Sequence, residues 1–565
     1  MPFTSRWQID IPNTHLATLL FTSPTHPLSK THRSFSEAAR PDTHFFTTHD
    51  FRQWSQRFAA GLRRAGLRAG DRVLLFSGND LFFPVVFMGV VMAGGVFTGA
   101  NPTFVARELA YQLADSGASY LICAAGSLDT GVEAARAAGL PRERVFVFDN
   151  ALYDSPSTGV PAGRINGCRY WGELVAGEEE GAGFAWEELD TAELADRTLA
   201  LNYSSGTTGA AKGVEISHKN YVANMLQYNH QAELNPDYEA RNARTRWLCF
   251  LPMYHAMAQN IFIAGALRRN VPVYIMPKFD FVKMLEYTQK FRITDLILVP
   301  PVVVALAKHP AVREFDLSSV EGIGSGAAPL GREVCEEVEA LWEPGKLNLK
   351  QGYGMTETTC SVLGWDPTET SYSASVGELN ANCEARIMGD DGVTELGRNQ
   401  RGELWVRGQN IMKGYWRRPE ATQETKTVDG WLKTGDIAYV DDQSKFYVVD
   451  RKKELIKVKG NQVAPAELEA LLLEHPGVAD AAVIGVPVNN DERPRAYIVL
   501  KPGQTATAQD MVAFVDGKVS AIKRITGGVV FLEAIPKNPS GKILRRALRE
   551  MAQEERQRQG RDAKL

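Results

Sequence analysis

At 565 residues the chain is too long for one hydrophobic core, so a large domain with at least one smaller companion is expected. With 44% apolar and 23% charged residues its composition is that of a soluble globular protein, and a net charge of −4 with a pI near 6.3 gives no support to a nucleic-acid-binding surface. Six scattered cysteines without a CxxC pair exclude a disulfide framework or a zinc site and point to a reducing compartment. Residues 1–30, broken by Arg6, Asp10 and several prolines, hold no apolar core of a signal peptide. Phe51, Trp54, Phe58 and Leu62 recur at helical spacing, predicting a helix that ends at Gly66 or Gly70, and residues 71–76 read as a strand. Residues 81–105 carry no charge, but Pro84, Gly89, Gly94, Gly95, Gly99 and Asn101-Pro102 interrupt them. They read as a buried helix running into a buried strand rather than a membrane span. Further apolar strands at 120–123 and 144–148 continue the rhythm of an α/β domain on mostly parallel sheets. The acidic, glycine-rich residues 177–188 read as an exposed connector.

Residues 198–202 alternate as a strand, and Tyr203-Ser-Ser-Gly-Thr-Thr-Gly-Ala-Ala-Lys-Gly-Val214 follows, with a helical pattern opening at Ser217. A loop between strand and helix that carries Ser204, Ser205, Gly206, Thr207, Thr208, Gly209 and Lys212 suits a polyanion. Glycines let backbone N–H groups turn toward phosphate oxygens, hydroxyls add donors, and the lysine adds a point charge. A Walker A loop needs glycine before the lysine and Ser or Thr after it; Ala211 and Gly213 stand there instead, so an ordinary P-loop NTPase is disfavoured.

Around residues 248–255 a strand ends in the Tyr254-His255 pair, and residues 276–279 set Lys278 among apolar neighbours. Residues 293–304 read as a strand followed by Pro300-Pro301, and Gly322-Ile-Gly-Ser-Gly-Ala-Ala-Pro-Leu-Gly331 does not fit the dinucleotide-binding spacing. In Leu347-Asn-Leu-Lys-Gln-Gly-Tyr-Gly-Met-Thr-Glu-Thr358 a strand ends at Gly352, where a side chain would block a ligand. Tyr353 can stack on a base, Thr356 can donate to a phosphate, and Glu357 offers the carboxylate oxygen that Mg²⁺ requires. Turn signals between short alternating runs predict a small β-rich subdomain over 377–408. Asn410-Ile-Met-Lys-Gly-Tyr-Trp416 and Trp431-Leu-Lys-Thr-Gly-Asp-Ile437 follow, and the Asp436 carboxylate is suited to two ribose hydroxyls. After the basic run Asp450-Arg-Lys-Lys-Glu-Leu-Ile-Lys-Val-Lys-Gly460, Pro465 starts a helix with Leu468, Leu471 and Leu472 inward, stopped at His475-Pro-Gly477. Pro536-Lys-Asn-Pro-Ser-Gly-Lys542 puts a lysine on a glycine-containing loop.

These separated motifs, in this order over nearly the whole chain, resemble the adenylate-forming superfamily of acyl-CoA synthetases, aryl-CoA ligases, peptide-synthetase adenylation domains and luciferases. The likeness is greatest to 4-coumarate–CoA ligase-like proteins. One departure is Ala210-Ala211, where many members have Leu-Pro. The resemblance implies an α/β fold with a large N-terminal domain of α/β subdomains plus a small β-rich subdomain (1–449) and a small mobile α+β C-terminal domain (450–565). It implies that ATP and a carboxylic acid form acyl-AMP and pyrophosphate, and that coenzyme A then takes the acyl group.

By the same resemblance Lys542 and Thr356 serve adenylation, Gln351 and Tyr353 border the adenine, Asp436 and Arg451 hold the ribose, and Glu357 holds Mg²⁺. Asp450 is the hinge; Lys457 and Gln462 approach the adenylate; Lys278, Lys459 and Gly460 serve coenzyme A; His255 walls the acyl and thioester channel. Met257, Ile261, Ala327, Gly352 and Gly364 would line the acid pocket. None of these five is charged, so an aryl, cinnamate-like or medium-chain acid is expected. Delivery of the acyl group to a carrier protein, or a luciferase-like oxygenation, stays open as an alternative. Ala563-Lys564-Leu565 resembles a peroxisomal address read by an import receptor, with the cytoplasm as the other expected location.

Overall fold

The computed structural model describes residues 1–154, 165–204, 211–458, 461–488, 491–538 and 541–562. Among them, the alternating apolar segments build two large sheets. In the first, the strands Arg72–Phe76, Val96–Ala100, Tyr120–Ala124 and Val145–Phe148 pair in parallel, and Thr198–Ser204 joins them beside Val96–Ala100. These strands are buried on both faces, which is why they read as continuous apolar runs rather than alternations. The helix Phe83–Met92 is buried along its whole length and the strand Val96–Ala100 follows it, as residues 81–105 predict. The helix Thr48–Arg64 starts on a capping box in which Thr47 and Asp50 satisfy each other's backbone N–H groups.

The second sheet orders Lys350–Gln351, Gly322–Ser325, Asp295–Leu298, Trp247–Cys249 and Val273–Ile275 as parallel neighbours. Ligands of open α/β sheets sit outside the carboxyl ends of such strands, and here those ends run into Gly352, Gly326, Val299 and Leu251. A third sheet, antiparallel, joins Glu384–Met388, Gly402–Arg407, Leu432–Val440 and Phe446–Arg451, with Phe3–Thr4 at one edge. One hydrophobic core runs from Leu16 to Phe446 through all three.

Beyond Arg451 the apolar contacts regroup. Ile456, Val463, Leu468, Leu472 and Met511 form a separate core under the hairpin of Val478–Val488 and Asp491–Leu500. Pro465 opens the helix Pro465–Leu473, whose first free N–H, from Ala466, donates to the Asp450 carboxylate at 3.0 Å. This C-terminal body rests on the helix Pro300–Lys308. Lys308 Nζ donates to Leu473 O at 2.8 Å, and Gly541 lies so close to Pro301 that a Cβ would come within 2.7 Å of its ring.

Two readings need correction and one needs refinement. The 203–214 segment does not run from strand to helix: Lys212–Ser217 is itself a strand, antiparallel to Thr198–Ser204, and the helix His218–Glu233 starts only after it. Residues 177–188 are largely exposed, as expected, but they are not a plain connector: Glu178–Ala182 is a short helix whose Gly181 packs on Arg57, and Trp186 after it is buried. The strand within 293–304 is only Asp295–Leu298; Pro300-Pro301 open a helix, which accepts proline in its first turn.

Candidate active site

Ser204 and Lys212 face each other at the base of the hairpin, in register across Thr198–Ser204 and Lys212–Ser217. Tyr111 Oη donates to Ala211 O at 2.7 Å and anchors that base. Ser205, Gly206, Thr207, Thr208 and Gly209, like Lys459 and Gly460, lie outside the described residues. The short strand Gly414–Tyr415 adds to the free edge of Lys212–Ser217, pairing Tyr415 with Val214. That docking turns the Tyr415 ring under Lys212 Nζ, 4.7 Å from its centroid, and sends the Tyr415 hydroxyl to Glu357 Oε1 at 2.9 Å. The backbone N–H of Met412 also donates to Glu357 O at 2.9 Å. Glu357 is buried, on the one-turn helix Thr356–Thr358 that leaves Thr356 beside the cavity.

Asp436 and Arg451, which line the same cavity, are cross-strand partners, with Arg451 Nε 3.8 Å from Asp436 Oδ1. The Tyr353 hydroxyl donates to Asp436 Oδ2 at 2.6 Å. Burial raises the Asp436 carboxyl above its ordinary range, opposed by Arg451, the Tyr353 hydrogen bond and Lys542. Lys542 reaches the same cavity from the C-terminal body, on a turn in which its N–H donates to Asn538 Oδ1 at 2.8 Å. Burial, and then Arg451, lower the Lys542 ammonium to about 8, against the pull of Asp436 and Glu357.

All of these groups line one cavity of about 990 Å³, a volume at the upper end for small-molecule sites. Met257, Ile261, Ala327, Gly352 and Gly364 line it too, with His255 among them. Ala327 holds a φ of 77°, a conformation unusual for a residue with a Cβ. Gln351 plays a supporting part: its side-chain amide clamps Leu330 by two hydrogen bonds of 3.0 Å, fixing the segment that carries Ala327. The His255 Nε2 is buried without a partner among the described residues, and burial lowers the imidazole to about 4.

Other expected residues lie elsewhere. Lys278 is exposed outside the cavity, next to a partly exposed Phe279, and not in an apolar setting, because the chain leaves the sheet at Pro277. Lys457 and Gln462 pair across the hairpin of Ile456–Val458 and Asn461–Val463, exposed and away from the cavity. The Asp450 carboxylate accepts from Arg451 N at 2.7 Å as well as from Ala466 N. Tyr415 is the residue that the sequence reading passed over: it lies in a motif quoted above, but only its pairing with Val214 aims its hydroxyl at Glu357.

Glu357 also permits a fit test for Mg²⁺. Its buried carboxylate takes one side-chain hydrogen bond and lines the cavity, and among the described residues no group of three or more His, Cys, Asp or Glu could hold a metal alone. One carboxylate completed by substrate phosphates is the usual manner of Mg²⁺ binding, so the residues fit that ion.

Residues 13–416 match the model of AMP-binding enzymes, and residues 467–542 match that of the AMP-binding enzyme C-terminal domain. The chain belongs to the AMP-binding enzyme family, whose members form adenylates. It is 38% identical over 510 residues to 4-coumarate–CoA ligase 1 of Petroselinum crispum, covering 89% of this chain and 88% of that one. It is also 38% identical over 516 residues to 4-coumarate:CoA ligase 1 of Petunia hybrida, covering 90% and 89%. Among solved structures, ATP-bound MatB from Rhodopseudomonas palustris superposes with a TM-score of 0.78 at 27% identity, over 95% of this chain and 98% of that one. The anthranilate CoA ligase AuaEII in complex with anthranoyl-AMP shares the fold, with a TM-score of 0.82 at 21% identity over 97% and 98%.

Proposed function

We propose that this AMP-forming acid–CoA ligase joins an aryl, cinnamate-like or medium-chain carboxylic acid to ATP and passes the acyl group from acyl-AMP to coenzyme A. The observation that carries the reading is the meeting of four separated segments at one cavity. Lys212, Glu357, the Asp436–Arg451 pair and Lys542 from the C-terminal body line it, together with His255 and the expected acid-pocket residues. The reaction brings a carboxylate to an α-phosphate, so repulsion between anions and alignment set the barrier. Lys212, Lys542 and Thr356 supply fixed charge and donors, which are worth most in a water-poor site. Asp436 takes the ribose hydroxyls, held in aim by Tyr353 and Arg451. Mg²⁺ on Glu357 would add positive charge at the phosphates.

The division into an N-terminal domain (1–449) and a mobile C-terminal domain (450–565) belongs to the same proposal. With Lys542 in the cavity and Lys457 and Gln462 outside it, this arrangement suits the adenylating step. Rotation about Asp450 would withdraw Lys542 and bring residues 457–462 to the thiol path, where Lys459, Gly460 and Lys278 are proposed to meet coenzyme A. The peroxisomal reading of Ala563, Lys564 and Leu565, which lie outside the described residues, is proposed as well; the location of a tagged chain with and without the tripeptide checks it. For the reaction itself, acid-dependent pyrophosphate release with a CoA-dependent thioester is expected. Pyrophosphate release with no thioester would favour a carrier protein as acceptor.

A further inference from the structure

Lys542 sits on a closed turn. Lys537 and Ile543 form an antiparallel bridge, Asn538 N donates to Lys542 O at 2.9 Å, and Leu544 N donates to Pro536 O at 2.9 Å. A lysine ammonium on its flexible four-carbon stem has no fixed aim of its own, so the backbone beneath it sets where the charge arrives.

Both stems of that turn are tied to the C-terminal body by ion pairs. On the entering side, Lys537 Nζ donates to both oxygens of Asp480, at 2.8 and 2.7 Å. On the leaving side, Arg545 opens the helix Arg545–Asp562, and its Nη2 donates to both oxygens of Glu469, at 2.7 and 2.8 Å. Arg545 Nε also donates to Val483 O at 3.3 Å, and Val483 N donates to Glu469 Oε1 at 2.8 Å. The Arg545 and Glu469 side chains are only 14% and 11% exposed, so water screens this pair poorly.

The same helix reaches the proposed hinge. Glu469 stands one turn beyond Ala466, whose N–H donates to Asp450, in the helix Pro465–Leu473. One turn beyond Arg545, Arg549 pairs with the buried Glu454, four residues after Asp450. Two carboxylates beside the hinge therefore hold two arginines of the helix that starts three residues after Lys542.

We infer that Arg545 is a positioning residue for adenylation: with Glu469, and with Lys537 on Asp480 at the other stem, it clamps the Lys542 turn to the hinge helix, so that Lys542 enters the cavity at one fixed setting. This rests on the ligase reading and on Lys542 as its adenylating lysine. Arg545 also bears on the charge itself. Burial lowers the Lys542 ammonium, Arg451 and Arg545 lower it further, and Asp436 and Glu357 oppose them.

The test is the double variant Arg545→Met/Glu469→Gln in the full chain. Burial raises the Glu469 carboxyl to about 7 even beside Arg545, so Arg545→Met alone would leave a buried group without its partner, and the double variant avoids this. The kcat of acid-dependent ATP–pyrophosphate exchange is expected to fall about ten-fold or more, because a misplacement of about 1 Å can cost 10²-fold. Its alkaline limb should move to higher pH, since a positive neighbour of Lys542 is gone. Thioester formation from preformed acyl-AMP and CoA should keep its wild-type rate. Equal loss of both steps, or wild-type exchange with an unmoved limb, overturns the clamp and leaves the ligase reading standing. If the double variant does not fold, Lys537→Met is read instead, with the buried pair intact. A smaller loss confined to exchange is then expected, and wild-type exchange or equal loss of both steps overturns the clamp. No exchange by the wild type with any acid overturns the ligase reading, and the clamp with it.

Discussion

Replacing Lys542 by alanine separates the two half-reactions. In the protein alone, burial and Arg451 bring the ammonium from 10.5 down to about 8. That difference of 10.5 − 8 = 2.5 pH units, at 1.36 kcal/mol each, means the site disfavours the charge by about 3 kcal/mol. A polyanion bound beside Lys542 would offset that cost, as the proposed role with ATP requires. Loss of one preorganised group of this kind costs about 10²–10³ in rate. Acid-dependent ATP–pyrophosphate exchange in Lys542→Ala should fall by that factor, while thioester formation from preformed acyl-AMP and CoA continues. The pH profile gives a second reading. The lowered group is protonated below about 8, so kcat/KM for exchange in the wild type should decline as pH rises through 8, and Lys542→Ala should lack that limb. An alkaline limb that persists in the variant, or equal loss of the thioester step, would refute the reasoning.

Three further outcomes are expected. Tyr415→Phe leaves Glu357 Oε1 without its donor, and the Mg²⁺ concentration for half-maximal exchange should rise about ten-fold; an unchanged Mg²⁺ dependence would remove Tyr415 from that role. If Asp450 is the hinge proposed above, Asp450→Pro should impair thioester formation from acyl-AMP more than exchange; equal loss of both would count against it. His15 and His218 are buried together, with His15 lowered to about 3 and His218 well below 6.5 by burial. The unfolded chain therefore binds protons that the folded chain refuses, so stability is full above pH 6.5 and falls as pH drops toward 3, by about 1.4 kcal/mol per pH unit for each histidine. Thermal melts should show that slope, and His15→Asn, whose side-chain oxygen can still accept from Ala17 N, should flatten it.

Much of this fold is local in origin and was legible in the sequence. The 81–105 segment declared a buried helix and strand by its uncharged run and its glycines, Phe51, Trp54, Phe58 and Leu62 declared the helix Thr48–Arg64 by their spacing, and Pro465 marked a helix start. What escaped the reading is non-local. Residues 212–217 are too short to announce a strand, and Ser217 with Asn220 forms a capping box that reads as a helix start. The strand exists because Thr198–Ser204 and Gly414–Tyr415 flank it, the latter about two hundred residues away. Lys457 and Gln462 differ again. They pair across a hairpin outside the cavity, and the approach proposed for them needs another orientation of the C-terminal body, which residue spacing does not encode.

The most direct measurement supplies the purified chain with ATP, Mg²⁺ and a panel of acids, with and without coenzyme A. It follows pyrophosphate release and identifies the acyl product by mass. The account predicts acid-dependent pyrophosphate and AMP, with an acyl-CoA thioester formed only when coenzyme A is present. Release of ADP and phosphate, or acid-dependent pyrophosphate with no thioester from any acid, would contradict it.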